Sequence, residues 1–166
     1  MTSNTSAQGS QPTAHGSVIL ILGSPADRPW AERIVEALGG FGVESEVRVA
    51  SAHKTPEYLL GLLKEWEARD EVHVYITVAG RSNALSGFVD AQVVAPVSAC
   101  PPAGDAFGGM DILSSLRMPR GVAPLVVLEP ENAALAAVKM LALANADLRS
   151  AVADAQQTER HRVIGG

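Results

Sequence analysis

Five short apolar runs, rich in β-branched residues, recur along the chain: Ser17 to Leu22, Glu44 to Ala50, Val72 to Val78, Val93 to Ala99 and Ala123 to Leu128. Their length and composition predict strands. The segments between them follow a different period. From Arg28 to Leu38, Ala31, Ile34, Val35 and Leu38 fall three and four residues apart, on one face of a helix, and Glu57 to Arg69 repeats the spacing with Leu59, Leu60, Leu63 and Trp66. After Pro130 an alanine-rich stretch from Asn132 to about Asn145 predicts a further helix, and a last polar helix is expected from Ala146 to about Gln157. The small residues of the alanine-rich helix suit close packing, either on its own sheet or against another subunit.

Alternation of strand and helix predicts a parallel sheet covered on both faces. Five parallel strands with crossover helices match the flavodoxin-like doubly wound order, a three-layer α/β/α sandwich. There the loops after the first and third strands flank the point where the strand order reverses, and ligands bind at the carboxyl ends of the strands. The loops after the first three runs are therefore expected to converge.

All three loops are polar. In the first, Gly23-Ser24-Pro25-Ala26-Asp27, a glycine allows close backbone approach, a hydroxyl follows, and Asp27 stands before a helix start. That set suits a phosphorylated sugar, with backbone N–H groups at the helix start for phosphate and a carboxylate for ribose hydroxyls. An ordinary turn with Asp27 as N-cap satisfies it equally. Neither Walker nor Rossmann glycine spacing is present. The second loop, Ser51-Ala52-His53-Lys54-Thr55-Pro56, sets an imidazole, the side chain that titrates nearest neutrality, beside an obligate cation; Thr55 is placed to cap a helix whose first position is Pro56. A solvated or structural histidine is the alternative to a catalytic one. The third loop adds Arg81, Ser82 and Asn83 beside Gly80 and Gly87 at the end of an apolar strand; such groups either satisfy one another or line a pocket with Arg81 open to a phosphate. A fourth polar stretch, Asp105 to Arg120, follows Gly104 and contains Gly108 and Gly109, as a loop closing over a site would, although its helix-like spacing also fits a packing element.

Composition narrows the partners. A chain of 166 residues with net charge −5 and scattered Lys and Arg offers no basic stripe for nucleic acid and no polybasic membrane anchor, and no apolar run nears the ~20 residues of a membrane span. Small molecules and other proteins remain. The single cysteine, Cys100, excludes an internal disulfide, fits a reducing cytosol and reads as a small buried side chain before Pro101-Pro102. Residues 1–16, rich in Ser, Thr, Gln and Gly, lack the charged and apolar regions of a signal peptide; they are expected to form a disordered tail, which sets His15 aside. Residues 17–166 are expected to be one α/β catalytic domain ending in a C-terminal helix.

Taken together, Gly23-Ser24 with Asp27, Ser51-Ala52-His53-Lys54-Thr55-Pro56, Ala79-Gly80-Arg81-Ser82-Asn83, Ser114-Ser115-Leu116-Arg117-Met118-Pro119 and Asn132-Ala133-Ala134 closely resemble the aminoimidazole ribonucleotide carboxylase family of purine biosynthesis. The resemblance runs from about Val18 to about Leu143 and includes the related N-carboxyaminoimidazole ribonucleotide mutases. His53-Lys54, Arg81-Ser82-Asn83 and Cys100-Pro101-Pro102 are similar to members that use carbon dioxide directly, whereas the mutases typically carry His-Arg and Gly-Gly-Ala-Ala-His. One position departs: Ala26 stands where the family has a serine that helps bind the substrate phosphate, a hydroxyl contact worth ~1 kcal/mol.

The resemblance implies a phosphoribosylaminoimidazole carboxylase, a cytoplasmic carboxy-lyase that reversibly joins carbon dioxide to the nucleophilic ring carbon of aminoimidazole ribonucleotide without ATP, biotin or metal, and hence without a cofactor. It implies His53 as proton carrier. Gly23, Ser24 and Asp27 are assigned to the ribose side, Ser51, Lys54 and Arg81 to phosphate or carboxylate charge, and Gly80, Ser82 and Asn83 to the small pocket that holds carbon dioxide. A homo-oligomer, an octamer as in the family, is expected, with the alanine-rich helix and the segment after it at subunit contacts. Two other readings are a mutase and a catalytically silent nucleotide-binding or assembly module; Ala26 favours the second.

Overall fold

The computed structural model describes residues 16–165, so all but Gly16 of the expected N-terminal tail lies outside the described residues. The strands β1 (Ser17–Leu22), β2 (Glu44–Val49), β3 (His73–Val78), β4 (Val97–Ala99) and β5 (Leu125–Val126) form one sheet in the order β2-β1-β3-β4-β5, every pairing parallel. This is the doubly wound order expected from the alternating pattern. Leu22, the last residue of β1, is in register with Val49 on one side and Val78 on the other, so three strands end at the same height.

Side-chain alternation along the strands sorts the core into two layers. On one face Val18, Leu20 and Leu22 with Val74, Ile76 and Val78 pack against α1 (Arg28–Gly39) and α5 (Pro130–Leu141). On the other, Ile19, Ile21 and Tyr75 pack against Leu59, Leu63 and Trp66 of α2 (Pro56–Glu67) and against α3 (Leu85–Asp90). The alanines of α5 are resolved in favour of the first alternative: Ala133, Ala134 and Ala137 are buried on the chain's own sheet. Cys100 lies in the same layer, and burial pushes its thiol up to about 11, as befits a packing residue.

Several boundaries differ from the apolar pattern. β4 and β5 start later than their runs because Pro96 and Pro124 stand immediately before them and have no N–H for the ladder, and β5 stops at Val126, opposite Ala99 where β4 ends; Val94 N–H donates instead to Glu67 Oε2 at 2.9 Å. The short helix α3 occupies residues read as loop, too few for a period to show; inside it, a Cβ on Gly87 would meet Met118 Sδ at 2.9 Å. α5 starts two residues before the expected Asn132 and ends at Leu141, and α6 (Ala146–Ile164) runs past Gln157, capped by Asn145 Oδ1 accepting from Leu148 N–H at 2.9 Å. Residues 106–112 form tight turns with Phe107, Gly108 and Gly109 left-handed, before the one-turn α4 (Leu113–Leu116). No helix among the described residues is long and apolar enough to cross a membrane.

Beside α2 a polar cluster closes the amino end of the sheet. Glu67 accepts from the Tyr75 hydroxyl at 2.9 Å and faces His73 Nε2 at 3.0 Å, while His73 Nδ1 lies 3.0 Å from the Glu71 carbonyl. Burial pushes the Glu67 carboxyl up, but Val94 N–H, His73 and Tyr75 outweigh it and hold the group below the ordinary glutamate range. A depressed folded value makes this stabilisation complete above the unfolded glutamate value of ~4.3 and removes it as pH falls through the folded value. Glu67→Gln should cost about 1–3 kcal/mol at neutral pH, and the loss of stability on acidification should be shallower than in the parent; urea denaturation across the acid range reads both.

Candidate active site

The common height of β1, β2 and β3 delivers their three loops to one place. Gly23 N–H donates to the Val78 carbonyl at 2.9 Å and Ala50 N–H to the Leu22 carbonyl at 2.9 Å, carrying the pairing one step past the strands. A Cβ on Gly23 would meet the Ala79 Cβ at 3.1 Å, so glycine permits this close approach of the first and third loops.

In the first loop Ser24 caps a single 3₁₀ turn (Pro25–Asp27), its Oγ accepting from Ala26 N–H at 3.2 Å. Asp27 stands at the N-cap position of α1 but makes no capping hydrogen bond. Its carboxylate lines the cleft instead, which corrects the reading of an ordinary N-cap. Burial pushes the Asp27 carboxyl above the ordinary aspartate range, and Ser24 and the Arg81 charge offset only part of that rise.

The second loop is tied by its own ends. Ser51 N–H donates to Thr55 Oγ1 at 2.9 Å, Thr55 Oγ1 donates back to the Ser51 carbonyl at 3.3 Å, and Lys54 N–H donates to Ser51 Oγ at 3.2 Å. Thr55 makes no side-chain cap on α2, contrary to expectation, because its hydroxyl closes this loop. The closed turn presents His53 and Lys54 outward, both exposed.

In the third loop Arg81 adopts a left-handed backbone, φ 58°, uncommon for a residue with a Cβ. The side chain of Asn83 turns inward and is buried, donating from Nδ2 to Ser86 Oγ at 2.7 Å and to Ser115 Oγ at 2.9 Å. The structure thus separates the expected set. Gly23, Ser24 and Asp27, then Ser51, His53 and Lys54, then Gly80, Arg81 and Ser82 line one cleft of about 470 Å³, and Asn83 lies behind its wall. Ala26, Pro102, Ala103, Gly104 and Asp111 also line it. Of these, Asp111 is the charged one; it lies in the Asp105 to Arg120 stretch expected to close over a site, but the sequence motifs assign it no site role of its own. A Cβ on Gly104 would meet Asp111 Oδ2 at 2.8 Å, so the glycine that signalled a mobile loop marks where this carboxylate packs. A smaller cavity of about 280 Å³, walled by Trp30, Pro101, Ile112 and Leu128, adjoins the cleft across Gly80 and Pro102.

The cleft therefore holds two cations, Lys54 and Arg81, two carboxylates, Asp27 and Asp111, and an exposed imidazole. It suits a ligand with an anionic group and hydroxyls, and can move a proton at His53.

A raised folded value at Asp27 means that ionisation opposes folding, progressively as pH rises from the unfolded value through the folded one. Asp27→Asn removes that opposition and loses no cap, so it should raise the melting temperature above the carboxylate range and leave it unchanged in acid. Thermal melts at a series of pH values check this.

A family model described as AIR carboxylase matches residues 17–162. A phosphoribosylaminoimidazole carboxylase of Archaeoglobus fulgidus is 51% identical over 145 residues, covering 87% of this chain and 79% of that protein. One of Treponema denticola is 48% identical, covering 89% and 92%. The crystal structure of Treponema denticola PurE superposes with a TM-score of 0.88 at 47% identity, covering 89% of this chain and 94% of that one. In the human bifunctional phosphoribosylaminoimidazole carboxylase/phosphoribosylaminoimidazole succinocarboxamide synthetase, 39% identical, the match spans 77% of this chain and 30% of the longer protein. By family model, sequence and fold together, the chain belongs to the AIR carboxylase family.

Proposed function

We propose that the chain is a phosphoribosylaminoimidazole carboxylase that reversibly joins carbon dioxide to the ring carbon of aminoimidazole ribonucleotide. The observation that carries this reading is the presentation of His53 and Lys54 by one self-tied turn into a cleft whose other walls bring Asp27 and Arg81, in a chain of this family. The ring carbon is an enamine-like nucleophile, so the protein has two reactants to position and one proton to move. The carbon–carbon bond forms as the ring carbon attacks carbon dioxide, and His53 takes the ring proton, restoring aromaticity. In reverse His53 returns the proton to that carbon and carbon dioxide leaves.

Ser24 and Asp27 hold the ribose hydroxyls in this reading. Ser51, Lys54 and Arg81 meet phosphate and carboxylate charge, and Gly80 and Ser82 shape the pocket for carbon dioxide. Asn83 acts from behind the wall. Ala26 lines the cleft where the family carries a serine, which weakens phosphate binding without removing the machinery. Residues 17–166 act as one catalytic domain, in the cytoplasm. Lys54, Arg81-Ser82-Asn83 and Cys100-Pro101-Pro102 support the use of free carbon dioxide over the mutase reading.

The assembly is a homo-oligomer, an octamer in this reading. Support comes from Phe107, Met110 and Leu113, exposed together around an open apolar hollow of about 660 Å³ that Arg81 and Ser82 also line. Such a patch beside a cleft suits burial by another copy. Ala133, Ala134 and Ala137 face the chain's own sheet, so in this reading α5 meets another copy through its opposite face, together with the segment after it and the residues around Phe107.

Three measurements test the proposal. His53→Asn should keep the fold and nucleotide binding and lower turnover by roughly 10²-fold or more; near-normal turnover would remove His53 from the mechanism. Aminoimidazole ribonucleotide with dissolved carbon dioxide should be converted faster than the carbamate, after correction for spontaneous carbamate breakdown. The opposite ranking would make the chain a mutase, and no conversion of either would make it a silent module. Light scattering should give an oligomer mass, and a monomer at working concentration contradicts the assembly.

A further inference from the structure

The left-handed backbone of Arg81 needs a restraint, because the conformation is unfavourable for a residue with a Cβ and persists only where the surroundings hold it. A hydroxyl outside the cleft bonds to both sides of this turn. Ser114 Oγ accepts from Asn83 N–H at 2.9 Å and lies 2.9 Å from the Arg81 carbonyl and 2.7 Å from the Asp111 carbonyl. A hydroxyl has one hydrogen to donate, so it serves the Arg81 and Asp111 carbonyls in turn while accepting from Asn83. One side chain thus grips the third loop on both sides of Ser82 and links it to the segment that carries Asp111 into the cleft.

The anchor for this grip is buried. Asn83 Nδ2 donates to Ser115 Oγ and Ser86 Oγ, Ser86 N–H donates to Asn83 Oδ1 at 3.2 Å, and Ser86 Oγ pairs with Thr77 Oγ1 of β3 at 2.8 Å. Thr77, Asn83, Ser86 and Ser115 are all buried, so the network roots the loop in the central sheet. Ser114 itself is only half-buried, and it faces the apolar hollow on the outer side of the loop, not the cleft. Water can therefore replace its hydrogen bonds if the hydroxyl is removed, and the fold survives. What water cannot supply is a fixed spacing between the Arg81 carbonyl and the Asn83 amide.

We propose that Ser114 is a positioning residue for substrate binding: through the Arg81 carbonyl and the Asn83 amide it holds Arg81 left-handed and aims its guanidinium at an anionic group of the substrate. The inference rests on the carboxylase reading for the identity of that substrate, and on the hydrogen bonds alone for the restraint. Ser114 touches no reacting atom, so its removal acts on binding and leaves the proton transfer at His53 alone.

The test is a double-mutant cycle of Ser114→Ala and Arg81→Ala, with Ser114→Thr as the conservative control, read as KM for aminoimidazole ribonucleotide at saturating carbon dioxide, kcat and melting temperature. Ser114→Ala should raise KM about 10-fold, the scale of one charge-assisted contact, and hold kcat within about 2-fold; Ser114→Thr, which keeps the hydroxyl, should restore KM. In the Arg81→Ala background the same change should add less than about 2-fold, since the group it acts through is gone. Fold increases in KM that multiply across the cycle, or a Ser114→Ala variant with lowered melting temperature and unchanged KM, would overturn the proposal. A crystal structure of Ser114→Ala reads the restraint without activity: Arg81 should leave the left-handed region, and retention of φ near 58° would overturn the proposal. Absence of turnover in the parent chain would sink the carboxylase reading alone, with the crystallographic result still deciding the role of Ser114.

Discussion

The pairing of Leu22 with both Val49 and Val78 is the constraint on which the site depends. Parallel strands in register end together, so a glycine-serine turn, a histidine turn and an arginine turn that lie far apart along the chain emerge at one edge of the sheet. The two central strands are buried on both faces, and a shift of one residue would reverse every side chain relative to the two helical layers. The core thus defends the register, and the register assembles the cleft.

Around that rigid edge the chain tolerates local costs where the ligand would sit. Asp27 keeps a partly buried carboxylate without the capping bond its position offers, and Arg81 keeps a left-handed backbone. Polar groups away from the cleft are treated differently. Thr77, Asn83 and Ser86 satisfy one another in the interior, and Glu67 gathers Tyr75, His73 and Val94 at the other end of the sheet. In the cleft, then, one strained residue and one desolvated carboxylate rest on supports whose polar groups satisfy one another, as expected where a site is preorganised by its surroundings.

Much of this is legible in the sequence. The apolar runs placed the central strands to within a residue and the three-and-four spacing placed α1 and α2, because both signals reflect faces buried over several residues. Short elements escaped the same reading: α3 has too few residues to show a period, and the prolines before β4 and β5 shorten strands that their apolar residues alone would have extended. Thr55 had the right position for a helix cap and a nearer partner in Ser51, a choice that side-chain reach decides and spacing does not.

By itself the sequence determined the doubly wound class, the order of the three polar loops and the residue types they carry, since these follow from periodicity and from chemistry local to each loop. Tertiary structure decided which way the side chains turn. Asn83 went into the interior because Ser86 and Ser115, the latter far along the chain, offer it partners there. Asp111 joined the cleft because Gly104 leaves room for its carboxylate, and the α5 alanines closed on their own sheet. Each of these outcomes depends on a distance between segments remote in sequence, and such distances exist only once the sheet has brought the segments together.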